Sequence, residues 1–112
     1  MTKEHLNLVA IRGIVGTAPV ARSLTSGVVM SSCDVTTLIN GKSLSVPVSV
    51  AGPLELELGT PVVVVGSVRR RFFRVGGATQ SRTEVTATQV IVATQRRQVA
   101  KALATLAEAL AS

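Results

Sequence analysis

The chain has 112 residues, 46% of them hydrophobic but only 2% aromatic, so it forms one small domain whose core is built from aliphatic side chains rather than rings. Its formal charge of +6 is one-sided: residues 1–60 hold four Lys/Arg against four Asp/Glu, and residues 61–112 hold eight against two. Such asymmetry suits a polyanionic partner, either nucleic acid or an anionic membrane, while the single cysteine excludes an intrachain disulfide.

Residues 5–15 read as a first strand, with Gly13 and Gly16 as points where the backbone bends or bulges. Residues 17–22, containing Pro19, read as a connection. A second strand is expected over 28–39, where Cys33 suits a small buried side chain better than a reactive thiol. Asn40-Gly41 is the clearest hairpin turn, because a type I′ turn needs positive φ at both central residues. Residues 44–50 then alternate strictly, with Leu44, Val46, Val48 and Val50 on one face. Pro47 lacks an N–H and is expected at an edge or a bulge.

Residues 51–60 fit either a short strand or an extended connection, with Leu54, Leu56 and Leu58 alternating against Glu55 and Glu57. Residues 61–74 form a long strand that returns through Gly76-Gly77 into another over 81–93. From Thr94 the pattern becomes helical. About five strands, a late hairpin and a terminal helix predict an all-β chain closed as a small barrel or a strongly curved sheet.

Within the long strand, alternation places Ser67, Arg69, Arg71 and Phe73 on one face and Gly66, Val68, Arg70 and Phe72 on the other. A basic face ending in an aromatic is what a single-strand binder needs: cations neutralise phosphates, and a ring stacks on any base. Phe72 is expected in the core beside Val68. Phe73 is left open between core and surface. Arg70 falls with the apolar set and is expected past the barrel rim, its stem on apolar surface and its guanidinium in water. Glu84 is expected to pair with an arginine across the hairpin, and Arg82 extends the basic surface along the returning strand.

These residues also carry a resemblance. Asn7 to Gly13, the connection from Pro19 to Arg22, and the block from Gly59 to Val85 resemble the bacterial single-stranded DNA-binding proteins, over most of residues 6–92. The most specific part is that last block, with Val62 to Gly66, Arg69, Arg70, Arg71, Phe72, Phe73 and Arg82-Thr83-Glu84-Val85. The resemblance implies an OB-fold, a five-stranded Greek-key barrel over residues 1–93 that binds single-stranded DNA across one face, usually as a dimer or tetramer. It implies nucleic-acid contacts from Arg69, Arg71, Phe73, Arg74, Arg82 and Arg12. The chain departs from the family in that its middle strands hold no Phe, Trp or Tyr and residues 51–58 replace the usual helix, and a short member without the family's glycine-rich, acidic-tipped tail is expected. Binding is therefore expected to be weaker and more electrostatic than in the parent family.

In the helix of residues 94–112, Val99, Leu103, Leu106 and Leu110 form one apolar stripe at spacings of four, three and four. The stripe packs on its own barrel or on a second subunit. Arg96, Arg97 and Lys101 sit poorly for the helix dipole and serve either a ligand or an exposed turn. Enzymatic signals are nearly absent: one His, one Cys and one Asp, with no phosphate loop and no metal-ligand spacing. No stretch approaches the roughly 18 apolar residues of a membrane span. The expectation is a cytoplasmic homo-oligomer that is not an enzyme, takes no cofactor, metal or small-molecule substrate, and serves replication, repair or recombination. An OB barrel that oligomerises or docks on a replication partner, with little nucleic-acid affinity, is the competing class.

Overall fold

A computed structural model describes residues 5–112. Six strands, β1 (Val9–Val15), β2 (Val20–Ser23), β3 (Val29–Ile39), β4 (Lys42–Ala51), β5 (Pro61–Val75) and β6 (Ala78–Val92), precede one helix, α1 (Arg96–Ala111). The strands run β1-β5-β6-β4-β3-β2, and a further pairing of β1 with β3 closes the sheet into a ring. All pairings are antiparallel except β4 with β6.

The expected connection at residues 17–22 is in part a strand, which is the first correction. β1 pairs with β3 through Ile14↔Thr36 and Val15↔Val35, and β2 resumes along the same strand from Val20↔Ser32 to Ser23↔Val29. The two segments thus act as one bent strand, and the ring has the five-stranded plan. Four residues, 16–19, span a stretch in which β3 advances by two, so the chain bulges there. Gly16 donates its N–H to the Asp34 carbonyl at 2.8 Å, and the Asp34 N–H donates to Thr17 Oγ1 at 2.8 Å, which fixes the bulge.

Both hairpins have two-residue turns of the expected kind. Asn40 and Gly41 have φ of 50° and 78°, and Gly76 and Gly77 have 57° and 83°, the positive values a type I′ turn requires. Pro47 stands just before β4 meets β6, where β4 has only β3 beside it. Residues 52–60 are an extended connection. Leu54 and Leu56 pack on the barrel core while Leu58 stays exposed.

The run Val62–Val65 is buried on both sides. Val62 and Val64 face the barrel interior with Val15, Val35, Val48, Val85 and Ala87, whereas Val63 and Val65 face outward under α1 with Ile91 and Ala93. Each buried valine contributes about 1.5 kcal/mol of apolar transfer. This double burial is why the sequence has an unbroken valine run instead of an alternating pattern. Cys33 lies in the first of these cores. Burial, and then the neighbouring Asp34 charge, push its thiol pKa up and keep it in the unreactive protonated form.

The helix stripe divides. Ala102 is the buried centre of the helix contact, flanked by Val99 and Leu106, while Leu103 and Leu110 remain exposed. Rotating the contact toward Ala102 lets the helix approach closely, because that side chain is small, and leaves two of the four stripe residues on the rim of the contact. No described helix is long and apolar enough to cross a membrane.

Candidate nucleic-acid interface

β5 and β6 outrun their neighbours. β1 covers β5 only from Pro61 to Gly66, and β4 covers β6 only from Val85 to Ala87. Two residues further along β5, the Asn7 side chain closes the root: its amide donates to the Val68 carbonyl at 2.7 Å and accepts from the Val68 N–H at 2.8 Å, standing in for a strand. Beyond that point β5 and β6 pair only with each other, from Arg69↔Glu84 to Val75↔Ala78. They form a projecting ribbon, and every β5 residue from Val68 outward is exposed. At about 3.3 Å per residue, the seven residues from Arg69 to Val75 reach roughly 23 Å.

Directly paired residues share a face, so the ribbon's two surfaces can be read from the register. On one lie Arg69 with Glu84, Arg71 with Arg82, and Phe73 with Gln80. On the other lie Arg70 with Thr83, Phe72 with Ser81, and Arg74 with Thr79. Arg71 directly opposite Arg82 is a destabilising like-charge pair in an isolated sheet. An anion between the two guanidiniums reverses the sign of that interaction.

At the root, the first face continues onto the barrel. Ser67 pairs with Thr86, Thr86 with Ser49, and Ser49 with Ser32, and Arg22 of β2 lies beside Met30 of β3. Arg22, Ser32, Ser49, Arg69, Arg71 and Glu84 together line a depression of about 200 Å³. Glu84 is 6% exposed and lies directly across from Arg69, the cross-strand arrangement expected of it. The neighbouring Thr86 Oγ1 is buried without a hydrogen-bond partner. Because an unpaired buried hydroxyl is a net cost, Thr86→Val is expected to stabilise the fold by about 1 kcal/mol in urea unfolding. A loss of stability would mean that the hydroxyl has a partner in solution.

The structure places two of the expected contact residues away from this face and corrects the expectation for Phe72. Arg12 is exposed on β1 opposite Val63, six residues along β5 from Arg69, which is roughly 20 Å; it is not part of the basic cluster. Arg74 is on the second ribbon face, where its Nη2 donates to the Gly77 carbonyl at 2.8 Å. Phe72 is 65% exposed instead of buried, because its strand has left the barrel before reaching it. Phe73 is 36% exposed and shares its face with Arg69, Arg71 and Arg82. Arg22 and Asn7 belong to this candidate site although the sequence marked them only as ends of stretches that carry the resemblance, and not as contact residues. Their signal is tertiary, since Arg22 meets β5 only through three intervening strands.

A larger groove of about 680 Å³ runs between α1 and β6, and among the described residues that line it Lys101 is the one that is charged. It lacks the basic and aromatic character of the ribbon. Among the described residues no group of three or more His, Cys, Asp or Glu side chains is placed to hold a metal ion.

No family model matches the sequence, and no curated protein matches it. Among solved structures, the chain is similar to a Plasmodium falciparum SSB in complex with ssDNA. The TM-score is 0.68 at 20% identity, over 81% of this chain and 97% of that one. The chain has an OB-fold. In OB-fold terms β1 and β2 are the two halves of the first strand, and the ribbon is the hairpin between the last two strands. The contact of β4 with β6 is the parallel pairing of the ring.

Proposed function

We propose that this OB-fold protein binds single-stranded DNA without strong sequence preference, through the first face of the ribbon and the depression at its root. The observation that carries the reading is the alignment of Arg69, Arg71, Arg82 and Phe73 on one exposed face that runs down to Arg22. Arginines there neutralise phosphates, and the half-exposed ring offers a stacking platform that any base can use. The likeness to an SSB solved with ssDNA supports the same reading. Such a protein serves replication, repair or recombination, and works as a homo-oligomer to which the exposed Leu103 and Leu110 offer apolar surface.

The test is fluorescence anisotropy of a labelled thymine oligonucleotide, titrated at several salt concentrations. Binding that weakens steeply with salt, as counterion release requires, supports the reading. No binding even at low salt overturns it, and assigns the ribbon to protein docking. In the same assay Phe73→Ala is expected to weaken binding by roughly tenfold, within the about 1 to 3 kcal/mol that a stacked base contributes. An unchanged affinity would make the interaction purely electrostatic.

A further inference from the structure

The second face of the ribbon has no role in that site. Arg70, Phe72 and Arg74 project from it, opposite Thr83, Ser81 and Thr79, with no carboxylate among them. All six are exposed. By parity this face continues the barrel interior, where Val68 lies opposite Val85. Had it evolved to receive another protein's apolar surface, aliphatic side chains would continue along it. Instead it alternates cation, ring, cation, with hydroxyls beside them, the same chemistry as the first face without Glu84. Phe72, at 65%, is the more exposed of the two rings.

We propose that the second face binds a second single-stranded segment, so that one protomer holds two strands on opposite sides of the same ribbon and bridges them. The inference rests on the single-strand reading of the first face. Its occupant is assigned by charge: two guanidiniums flanking an exposed ring suit a phosphate backbone with unstacked bases. Arg74 is already oriented by its bond to the Gly77 carbonyl, which leaves its other donors free to point outward. A protein that holds two strands in this way favours their pairing when they are complementary.

The experiment uses a surface-tethered thymine oligonucleotide loaded with the full-length protein, which is then offered a second, dye-labelled thymine oligonucleotide. Thymine tracts do not pair with one another, so captured dye reports bridging by protein alone. The variant carries Arg70→Ala, Phe72→Ala and Arg74→Ala together. All three side chains are exposed, so its melting transition should coincide with that of the parent. The variant is expected to keep its affinity for the tethered strand within about threefold while capture falls by roughly tenfold or more, the scale of one lost stacked base and two phosphate contacts.

If capture persists in the variant, bridging comes from oligomerisation and the second-face inference is overturned. If affinity for the tethered strand collapses as well, the two faces form one site, which also overturns it. If the parent protein captures no second strand although it holds the first, the inference fails while the single-strand reading stands. If the parent does not bind the tethered strand, both fail together.

Discussion

Replacing Arg69 and Arg71 together by alanine is expected to weaken binding of a thymine oligonucleotide by roughly thirtyfold at low salt, taking about 1 kcal/mol for each charge-assisted contact at a solvated surface. It should also flatten the salt dependence. A single-strand phosphate contact adds about 0.7 to the slope of log affinity against log salt, so losing two contacts removes about 1.4. The two effects must appear together. A fall in affinity with an unchanged slope would mean that the arginines act through packing and not through phosphates. Folding should be unaffected, because both side chains are exposed and Arg71 faces Arg82. Removing that repulsion offsets the loss of Arg69 across from Glu84. Arg12→Ala is the internal control. It carries the same charge on the same small domain but lies away from the ribbon, so its affinity should stay within about twofold of the parent if local contacts dominate over net charge.

The largest stability effect is expected at Gly66. An added Cβ there would overlap the Thr86 carbonyl and press on the Ala87 Cα at 2.8 Å, and both obstacles are backbone. The β5–β6 register also shifts at this point, from Val65↔Gln89 to Gly66↔Ala87, leaving Thr88 as the extra residue of a bulge. Its hydroxyl donates to the Val65 carbonyl at 3.1 Å. Gly66 therefore sits beside the bulge where β6 backbone leaves no room for a side chain, and relief requires moving β6 itself. Gly66→Ala should cost about 3 kcal/mol, at the upper end for overpacking because no flexible side chain can give way. That corresponds to a fall in melting temperature of about 12 °C or more for a domain of this size. Gly77→Ala gives the comparison. Its φ of 83° strains an alanine, but nothing lies within 4 Å of the added carbon, so the cost should be about 1 kcal/mol. Equal losses at the two positions would show that backbone conformation, and not close approach, governs Gly66.

The contrast between these residues separates what is local from what is not. Alternation along β5 follows from covalent geometry, so Arg69, Arg71 and Phe73 sharing a face was legible before any fold was known. The Asn40-Gly41 turn was legible for the same reason, since few residues adopt positive φ without penalty. The Gly59 to Val85 block carried the resemblance to the single-strand binders, whereas the burial of Val62–Val65 on both faces emerged only with the fold. The barrel plan followed from these signals together.

Exposure was not legible, because it depends on how far each strand runs relative to its neighbours. Phe72 has the parity of a core residue. It stands in water because β5 has 15 residues and β1 only seven. Arg12 looked equivalent to the other arginines until β1 was placed against the base of β5, a strand's length from the ribbon. Arg22 entered the site only when β2 proved to be a strand, and Glu84 became a buried carboxylate only when the root of the hairpin packed against the barrel. Each of these outcomes is set by pairings between segments distant in the chain. Closure of the ring, and not local propensity, decided which side chains meet.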